Sequence, residues 1–157
     1  MDASMLVVKT REYDVCVWLH TAKDPPTDEW KAAMGVIEEA KRKRGDSGIR
    51  SLVVTDGGAP NATQRGELSD LFDRKPFKLA VVTISLTNPI KRGIATAISW
   101  INPAFRAVPP SQLESAMSHL DLPGQFGLFL PALDTLQTQM VPVITLQMLK
   151  NAEARKR

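Results

Sequence analysis

The sequence predicts an α/β protein with a mixed β-sheet that begins with a hairpin and carries helices packed on its strands. Three observations predict this class. Two short apolar runs near the amino terminus are separated by only three residues, which is the spacing of a hairpin. Later apolar runs are brief, rich in β-branched residues and bounded, as buried parallel strands are. Stretches with one apolar helical face alternate with these runs, so the predicted order is β-β-α-β-α-β-α-β-α.

Composition places the chain among ordinary globular proteins. With 157 residues, 43% hydrophobic and 24% charged, it is long enough to bury a core without disulfides or metals. Cys16 lies in an apolar run and is predicted to be a packed core thiol. No apolar stretch reaches the roughly 18 residues of a membrane span, and the amino terminus lacks a signal peptide's positive charge. A cytoplasmic location is therefore expected.

The first elements are predicted from residues 5–10 and 14–20, two strands of one hairpin. Thr27 is the predicted cap of the first helix, and the basic run 41–44 followed by Gly45 is its predicted end. We attribute that basic run to charge compensation at a helix carboxyl terminus, in preference to a patch for nucleic acid or acidic lipid. The predicted buried face of this helix consists of Trp30, Ala33, Met34, Ile37 and Ala40.

The central stretch, residues 49–71, organises the chain. A buried strand at 51–55 stops at Asp56, and two glycines then allow a tight turn. Asn61 is a predicted N-cap, and Gln64 completes a capping box three residues later. In α/β sheets, sites gather where a strand ends and a helix begins, so this turn is the predicted functional region.

The later elements continue the alternation. A helix over about 62–73 buries Leu68, Leu71 and Phe72, and a strand follows at 77–85. The next helix is predicted to start at Pro89, with Asn88 as its cap, and to run to about residue 101, followed by a short strand at 105–108. Ser111 and Glu114 form a second predicted capping box. The helix after them is predicted to bury Leu113, Ala116, Met117 and Leu120 and to stop at residues 123–124.

Residues 124–157 are predicted to be a helical extension of a domain that covers residues 1–123. Two apolar stripes interrupted by Pro142 predict two helices, the second built on Val143, Leu146 and Leu149. They can cover their own sheet or bury their surface against another chain, and we favour oligomer or partner contact. The contact residues predicted on that basis are Phe129, Leu133, Leu136, Met140 and Leu146.

The element order over residues 5–122, with the strand-turn-helix at 53–71, resembles the STAS domain of anti-sigma-factor antagonists. The segments TDGGAPNATQR and WINPAFRAVPP are similar to those of the divergent, uncharacterised bacterial STAS-like group that is also compared with lipid-carrying CRAL-TRIO domains. The resemblance implies a non-enzymatic regulatory protein that binds proteins in signalling, with a phosphorylated serine beside the helix after the third strand. This chain has no serine there; Thr55 and Thr63 are its hydroxyls, and Asp56 offers a fixed negative charge.

The predicted function is therefore protein binding or self-association, with no catalytic residue, cofactor or metal. The predicted partner- or anion-binding residues are Asp56, Gly57, Gly58, Asn61, Thr63, Gln64 and Arg65.

Several different functions are compatible with the same residues. An enzyme would use His20 and Asp56 with Ser85 or Thr87, and a small-anion receptor would use the start of the helix at Asn61. Asp56 can instead serve only to close the glycine turn through the backbone. A lipid carrier would line a cavity with Trp18, Trp30 and Trp100, although core packing explains these tryptophans better. His20 and His119 are too far apart in sequence to suggest a metal site.

Overall fold

The computed structural model describes residues 1–73, 77–84 and 104–156. It shows an α/β fold with a five-stranded mixed sheet in the order β1-β2-β3-β4-β5. β1 and β2 form an antiparallel hairpin and the remaining neighbours are parallel, which confirms the predicted fold class. The strands are β1 (Ala3–Lys9), β2 (Asp14–His20), β3 (Ile49–Thr55), β4 (Leu79–Thr83) and β5 (Phe105–Val108).

The described helices lie in two layers, one on each face of this sheet. The first two cover one face, and the other three belong to the core of the opposite face. The helix predicted at about 88–101 lies outside the described residues, as do Ser85, Thr87 and Trp100. The helices are α1 (Thr27–Arg44), α2 (Ala62–Leu71), α3 (Leu113–His119), α4 (Leu130–Gln137) and α5 (Gln147–Ala154).

The predicted faces of the first three described helices are confirmed. Trp30, Ala33, Ile37 and Ala40 of α1 are buried, and Met34 packs beside them. Phe72 is buried, with Leu68 and Leu71 packed partly against the same core. On the other side of the sheet, Leu113, Ala116, Met117 and Leu120 are buried as predicted.

Two predicted caps are wrong. Thr27 is already the first residue of α1, and Pro26 takes the N-cap position without a side-chain hydrogen bond. Ser111 lies inside a 3₁₀ turn at Pro110–Gln112, so it cannot cap α3. Glu114 turns away from the helix start, since its carboxylate accepts a hydrogen bond from the Gly124 amide and pairs with Lys156.

The carboxyl-terminal extension covers its own sheet, which corrects the prediction that it contacts another chain. Most of its apolar side chains are buried together with those of β2, β3 and β4 in one cluster. They would have to leave that core to contact a partner. Val143, predicted to be in the second stripe, is instead 77% exposed, and Ile144 is buried in its place. The five residues predicted for an oligomer interface, Phe129, Leu133, Leu136, Met140 and Leu146, are all at most 2% exposed.

Candidate functional site

The carboxyl ends of three parallel strands meet at one edge of the sheet. His20 pairs with Thr55, and Thr55 pairs with Thr83, so these residues occupy equivalent positions on β2, β3 and β4. All three are buried. The turn that follows β3 begins beside this row, and we call residues 56–65 the edge turn.

The side chain that closes the edge turn is Thr55. Its hydroxyl accepts a hydrogen bond from the Gly57 amide at 3.0 Å and donates one to the Gly58 carbonyl at 2.7 Å. The sequence had suggested Asp56 as a possible closing residue, and that assignment is wrong. Among the described residues, the half-buried Asp56 carboxylate accepts no hydrogen bond. It is therefore available to another molecule at the protein surface.

Gly58 joins the edge turn to the loop that follows β2. Its amide donates to the Thr21 carbonyl at 2.9 Å. A Cβ atom at this position would lie 1.9 Å from the Lys23 carbonyl oxygen and 2.5 Å from that of Thr21. Gly57 has a φ of 117°, a conformation that favours glycine. The fold itself therefore needs both glycines. Gly58 allows the close approach of the loop after β2, and Gly57 allows the positive φ.

The start of α2 carries the predicted capping box. The Asn61 side chain accepts from the Gln64 amide at 3.0 Å, and the Gln64 side chain accepts from the Asn61 amide at 2.9 Å. Gln64 also donates to the Pro25 carbonyl at 2.9 Å from a buried position. One side chain thus fixes the helix start and fastens it to the neighbouring loop.

Replacing Asn61 with alanine tests this cap. Asn61→Ala is expected to lower the free energy of unfolding by about 1 kcal/mol, because it leaves the Gln64 amide without its acceptor. Urea unfolding followed by circular dichroism measures the change. Thr63→Ala, at an exposed position in the first turn of the same helix, is the matched control. An equal loss in both variants would contradict the capping role.

The backbone amides of the edge turn are largely paired within the chain. Those of Gly57, Gly58, Asn61 and Gln64 are used as described above, and the Asp56 amide donates to the His20 carbonyl at 3.0 Å. The Ala59 amide donates to the Asp24 carboxylate at 3.3 Å. An anion site at a helix start needs amides that are free to point at the ligand. The Ala62 and Thr63 amides, in the first turn of α2, have no partner among the described residues, so a small anion at this helix start would have these two donors.

The predicted binding residues divide into two groups. Asn61, Thr63 and Arg65 are exposed, and Asp56 and Gly57 are half-buried. Gly58 and Gln64 are buried, so they support the surface and do not belong to it. Arg65 is held against the turn by a 2.6 Å hydrogen bond from its guanidinium to the Pro60 carbonyl.

His20 lies beneath this surface, against two aromatic rings. Its imidazole stacks on Trp18 with 5.6 Å between ring centroids, and Trp18 packs on Trp30 at 5.7 Å. Its Nδ1 atom is buried and has no hydrogen-bond partner among the described residues. Burial lowers the pKa of His20 from 6.5 to about 4, and the nearby Asp24 carboxylate opposes this shift. The imidazole is consequently neutral near pH 7.

This shift predicts a pH dependence of stability. Because the unfolded histidine takes up a proton at its ordinary pKa of 6.5 and the buried one only near pH 4, the unfolded state binds more protons between these values. The free energy of unfolding is therefore expected to fall by up to about 3 kcal/mol as the pH drops from 6.5 to 4. Urea unfolding at several pH values measures it. His20→Asn should remove this part of the slope, and a slope that persists would refute the assignment.

The described residues that an enzyme or a lipid carrier would use, His20, Trp18 and Trp30, are buried. His20 is only 2% exposed, so it is sealed from substrate as it stands. Trp18 and Trp30 are core residues, and the Trp30 indole donates to Glu67 at 2.7 Å. Among the described residues, no group of three or more His, Cys, Asp and Glu side chains could hold a metal. Cys16 is fully buried as predicted, and burial raises its pKa to about 12.

The basic run at the end of α1 is also paired within the chain. Lys41 interacts with Asp46, Arg42 and Lys43 with Glu39, and Arg44 with Asp14. These pairs leave little free positive charge for a polyanion. None of the described helices has the length and apolar character needed to cross a membrane.

The residues that the sequence did not reveal lie in the loop after β2. The Thr21 carbonyl accepts a hydrogen bond from the Gly58 amide, and the Asp24 carboxylate accepts one from the Ala59 amide. The Pro25 carbonyl accepts one from the Gln64 side chain. A signal for them was present, since a polar loop that follows one parallel strand lies at the same edge as the loop that follows the next. The sequence does not indicate which polar groups in two neighbouring loops pair.

Comparison of the chain with protein-family models, with curated proteins and with solved structures returns no match. The resemblance to STAS domains therefore stays a prediction, and the function is inferred from the geometry of the edge turn.

Proposed function

We propose that this chain is a non-enzymatic, cytoplasmic protein-interaction domain of STAS-like type, and that the edge turn is its docking surface. One observation carries the proposal. Hydrogen bonds of Thr55, Gly58 and Gln64 hold the turn in place, yet it presents five exposed residues. These are Ala59, Asn61, Ala62, Thr63 and Arg65.

Rigidity favours binding because an ordered surface loses little conformational entropy when a partner docks. The small side chains at Ala59 and Ala62 allow close approach of another backbone. Asp56 and Arg65, on either side of them, supply both signs of charge. Such charges orient a partner and select against wrong ones. The surface is therefore suited to a partner protein with a complementary polar surface.

The test uses a photo-crosslinking amino acid at one of two exposed positions. Installed at Thr63 in the edge turn, it is expected to capture one specific protein in an extract of the source cells. Installed at Glu38, on the outer side of α1, it should not. The captured protein is identified by mass spectrometry, purified, and titrated against the unlabelled chain.

A pair of exposed helical alanines makes the test quantitative. Ala62→Arg places a long charged side chain in the edge turn and is expected to weaken binding of that partner at least about tenfold. Ala32→Arg makes the same change on α1 and should leave the affinity unchanged. Equal affinities for both variants would contradict the proposal. So would a co-purifying small molecule or acyl chain whose retention depends on His20 or Asp56.

A further inference from the structure

The outer edge of β1 is open along most of its length. Among the described strands, β1 is the last on its side of the sheet and has β2 as its one neighbour. Residues 4–8 are half-buried, whereas all seven residues of β2 are buried. Since core clusters on both faces of the sheet include β1 side chains, the exposure of this strand lies mainly at its edge.

The register shows which backbone groups point outward. The Thr10 amide donates to the Tyr13 carbonyl, and the Thr21 amide donates to the Asp2 carbonyl, both at 2.8 Å. In an antiparallel pair, residues alternate between facing the partner strand and facing away. Even-numbered residues of β1 therefore face β2, and odd-numbered residues present their N–H and C=O groups at the open edge.

Three consecutive outward positions are available for pairing. Among the described residues, the outward-facing amides of Met5, Val7 and Lys9 have no hydrogen-bond acceptor. The amide of Ala3 also points outward, but it already donates to the Glu29 carboxylate at 2.8 Å. Glu29 thus closes the first position of the edge and leaves the remaining three.

Residues 139–141 cover the start of this edge, where the Val141 amide donates to the Met1 carbonyl and the Met1 amino group donates to the Gln139 carbonyl. From Met5 to Lys9 the edge has few of the features by which proteins prevent strand pairing. Exposed edges are commonly protected by proline, by charges within the strand, by bulges or by a covering segment. The β1 sequence, ASMLVVK, has no proline, and its single charge is Lys9 at the end. Its register with β2 is continuous from Ala3 to Lys9, without a bulge. A second strand can therefore add here.

We propose that this strand is β1 of a second copy of the chain, paired antiparallel about a twofold axis at Val7. In this register Val7 faces Val7, and Met5 faces Lys9 of the second copy. Each of these three residue pairs exchanges two backbone hydrogen bonds, about six in total. The five strands of each copy then form one continuous sheet across the dimer. A register shifted toward Ala3 would meet the amide that Glu29 already occupies.

Charge complementarity supports a second copy as the occupant. The start of β1 is acidic, with Asp2 and Glu29, and its far end is net basic, with the exposed cations Lys9 and Arg11 against one exposed anion, Glu12. Antiparallel self-pairing brings the basic end of each copy to the acidic end of the other, on both sides of the axis. Lys9 lies on the same face of β1 as Met5 and Val7, which pack on the side covered by α1, and Glu29 lies on α1. Lys9 and Glu29 therefore lie on the same face, whereas the Asp2 carboxylate is on the other face and accepts a hydrogen bond from Thr21.

The dimer goes beyond the proposed partner binding and leaves the edge turn free. Because the twofold axis reverses the strand direction, the two edge turns lie at opposite ends of the joint sheet. An interface of one strand pair with its flanking side chains is at the small end of specific interfaces. We therefore expect a dissociation constant of about micromolar.

Light scattering after size exclusion, over concentrations on both sides of this value, tests the dimer. The full chain is expected to change from one to two copies as concentration rises. Hydrogen exchange should show that the amides of Met5, Val7 and Lys9 become protected in the dimer and exchange freely in the monomer. A monomer at every concentration, or a dimer in which these amides stay unprotected, overturns the proposal.

A charge-reversed double variant with its control, and a proline variant, identify the surface. Lys9→Glu with Arg11→Glu reverses two exposed charges and should raise the dissociation constant at least about tenfold. Lys31→Glu with Arg155→Glu makes the same charge change at exposed positions elsewhere and should leave it unchanged. Val7→Pro removes an edge donor that β2 does not use and should give a folded monomer. If Val7→Pro does not fold, the charge pair decides: equal effects of the two double variants overturn the proposal.

Discussion

Gly58→Ala is expected to cost about 3 kcal/mol or more of unfolding free energy, or to prevent folding altogether. The added Cβ atom would lie 1.9 Å from the Lys23 carbonyl oxygen and 2.7 Å from the Lys23 carbonyl carbon. Both are backbone atoms, so the loop after β2 would have to move away from the edge turn. That movement would also break the hydrogen bond from the Gly58 amide to Thr21.

The matched control for this prediction is Gly66→Ala. Gly66 lies within α2, and an added Cβ atom there meets no atom within 4 Å. Alanine is expected to stabilise the helix by about 0.5–1 kcal/mol, because glycine loses more backbone freedom on folding. Urea unfolding of both variants measures the two effects. A Gly58→Ala variant as stable as the parent chain would show that the two loops do not approach closely.

Phe129→Ala is expected to lower the free energy of unfolding by about 3–5 kcal/mol. Phe129 is fully buried in the core formed by β2, β3, β4 and the carboxyl-terminal extension. Removing the ring leaves a cavity whose lining loses its contacts. Chemical unfolding, with the oligomeric state measured in parallel, tests whether the extension stabilises its own fold.

Leu128→Ala is the control for Phe129, since Leu128 is the preceding residue and is 55% exposed. It should change stability by less than about 0.5 kcal/mol. If the extension instead served an interface between chains, Phe129→Ala would change the oligomeric state and leave the stability of the folded monomer nearly unaltered.

The elements that the sequence predicted best are those whose signals are local. The strands 14–20 and 105–108 were predicted with the bounds observed, because short apolar runs bounded by polar residues or prolines define them. The Asn61 and Gln64 capping box depends on two side chains and the backbone between them, so it too was predicted correctly. The predicted box at Ser111 and Glu114 failed because a 3₁₀ turn displaced the helix start.

The sequence predicted where the candidate site lies but not which side chains hold it together. The order strand, glycines, helix indicated the correct edge of the sheet. It could not distinguish Thr55 from Asp56 as the side chain that closes the turn, since both residue types bond readily to nearby backbone. Nor could it show that the loop after β2 accepts hydrogen bonds from the Gly58 and Ala59 amides of the turn.

The sequence by itself determined the alternation of strands and helices, the position of the edge turn and the apolar faces of the helices. Only the tertiary structure decided that the extension covers its own sheet, that His20 is buried and neutral, and that β1 has an open edge. The physical reason is that an apolar stripe or a polar strand end specifies burial or pairing without specifying the partner. The partner is chosen by which surfaces the whole chain brings within contact distance.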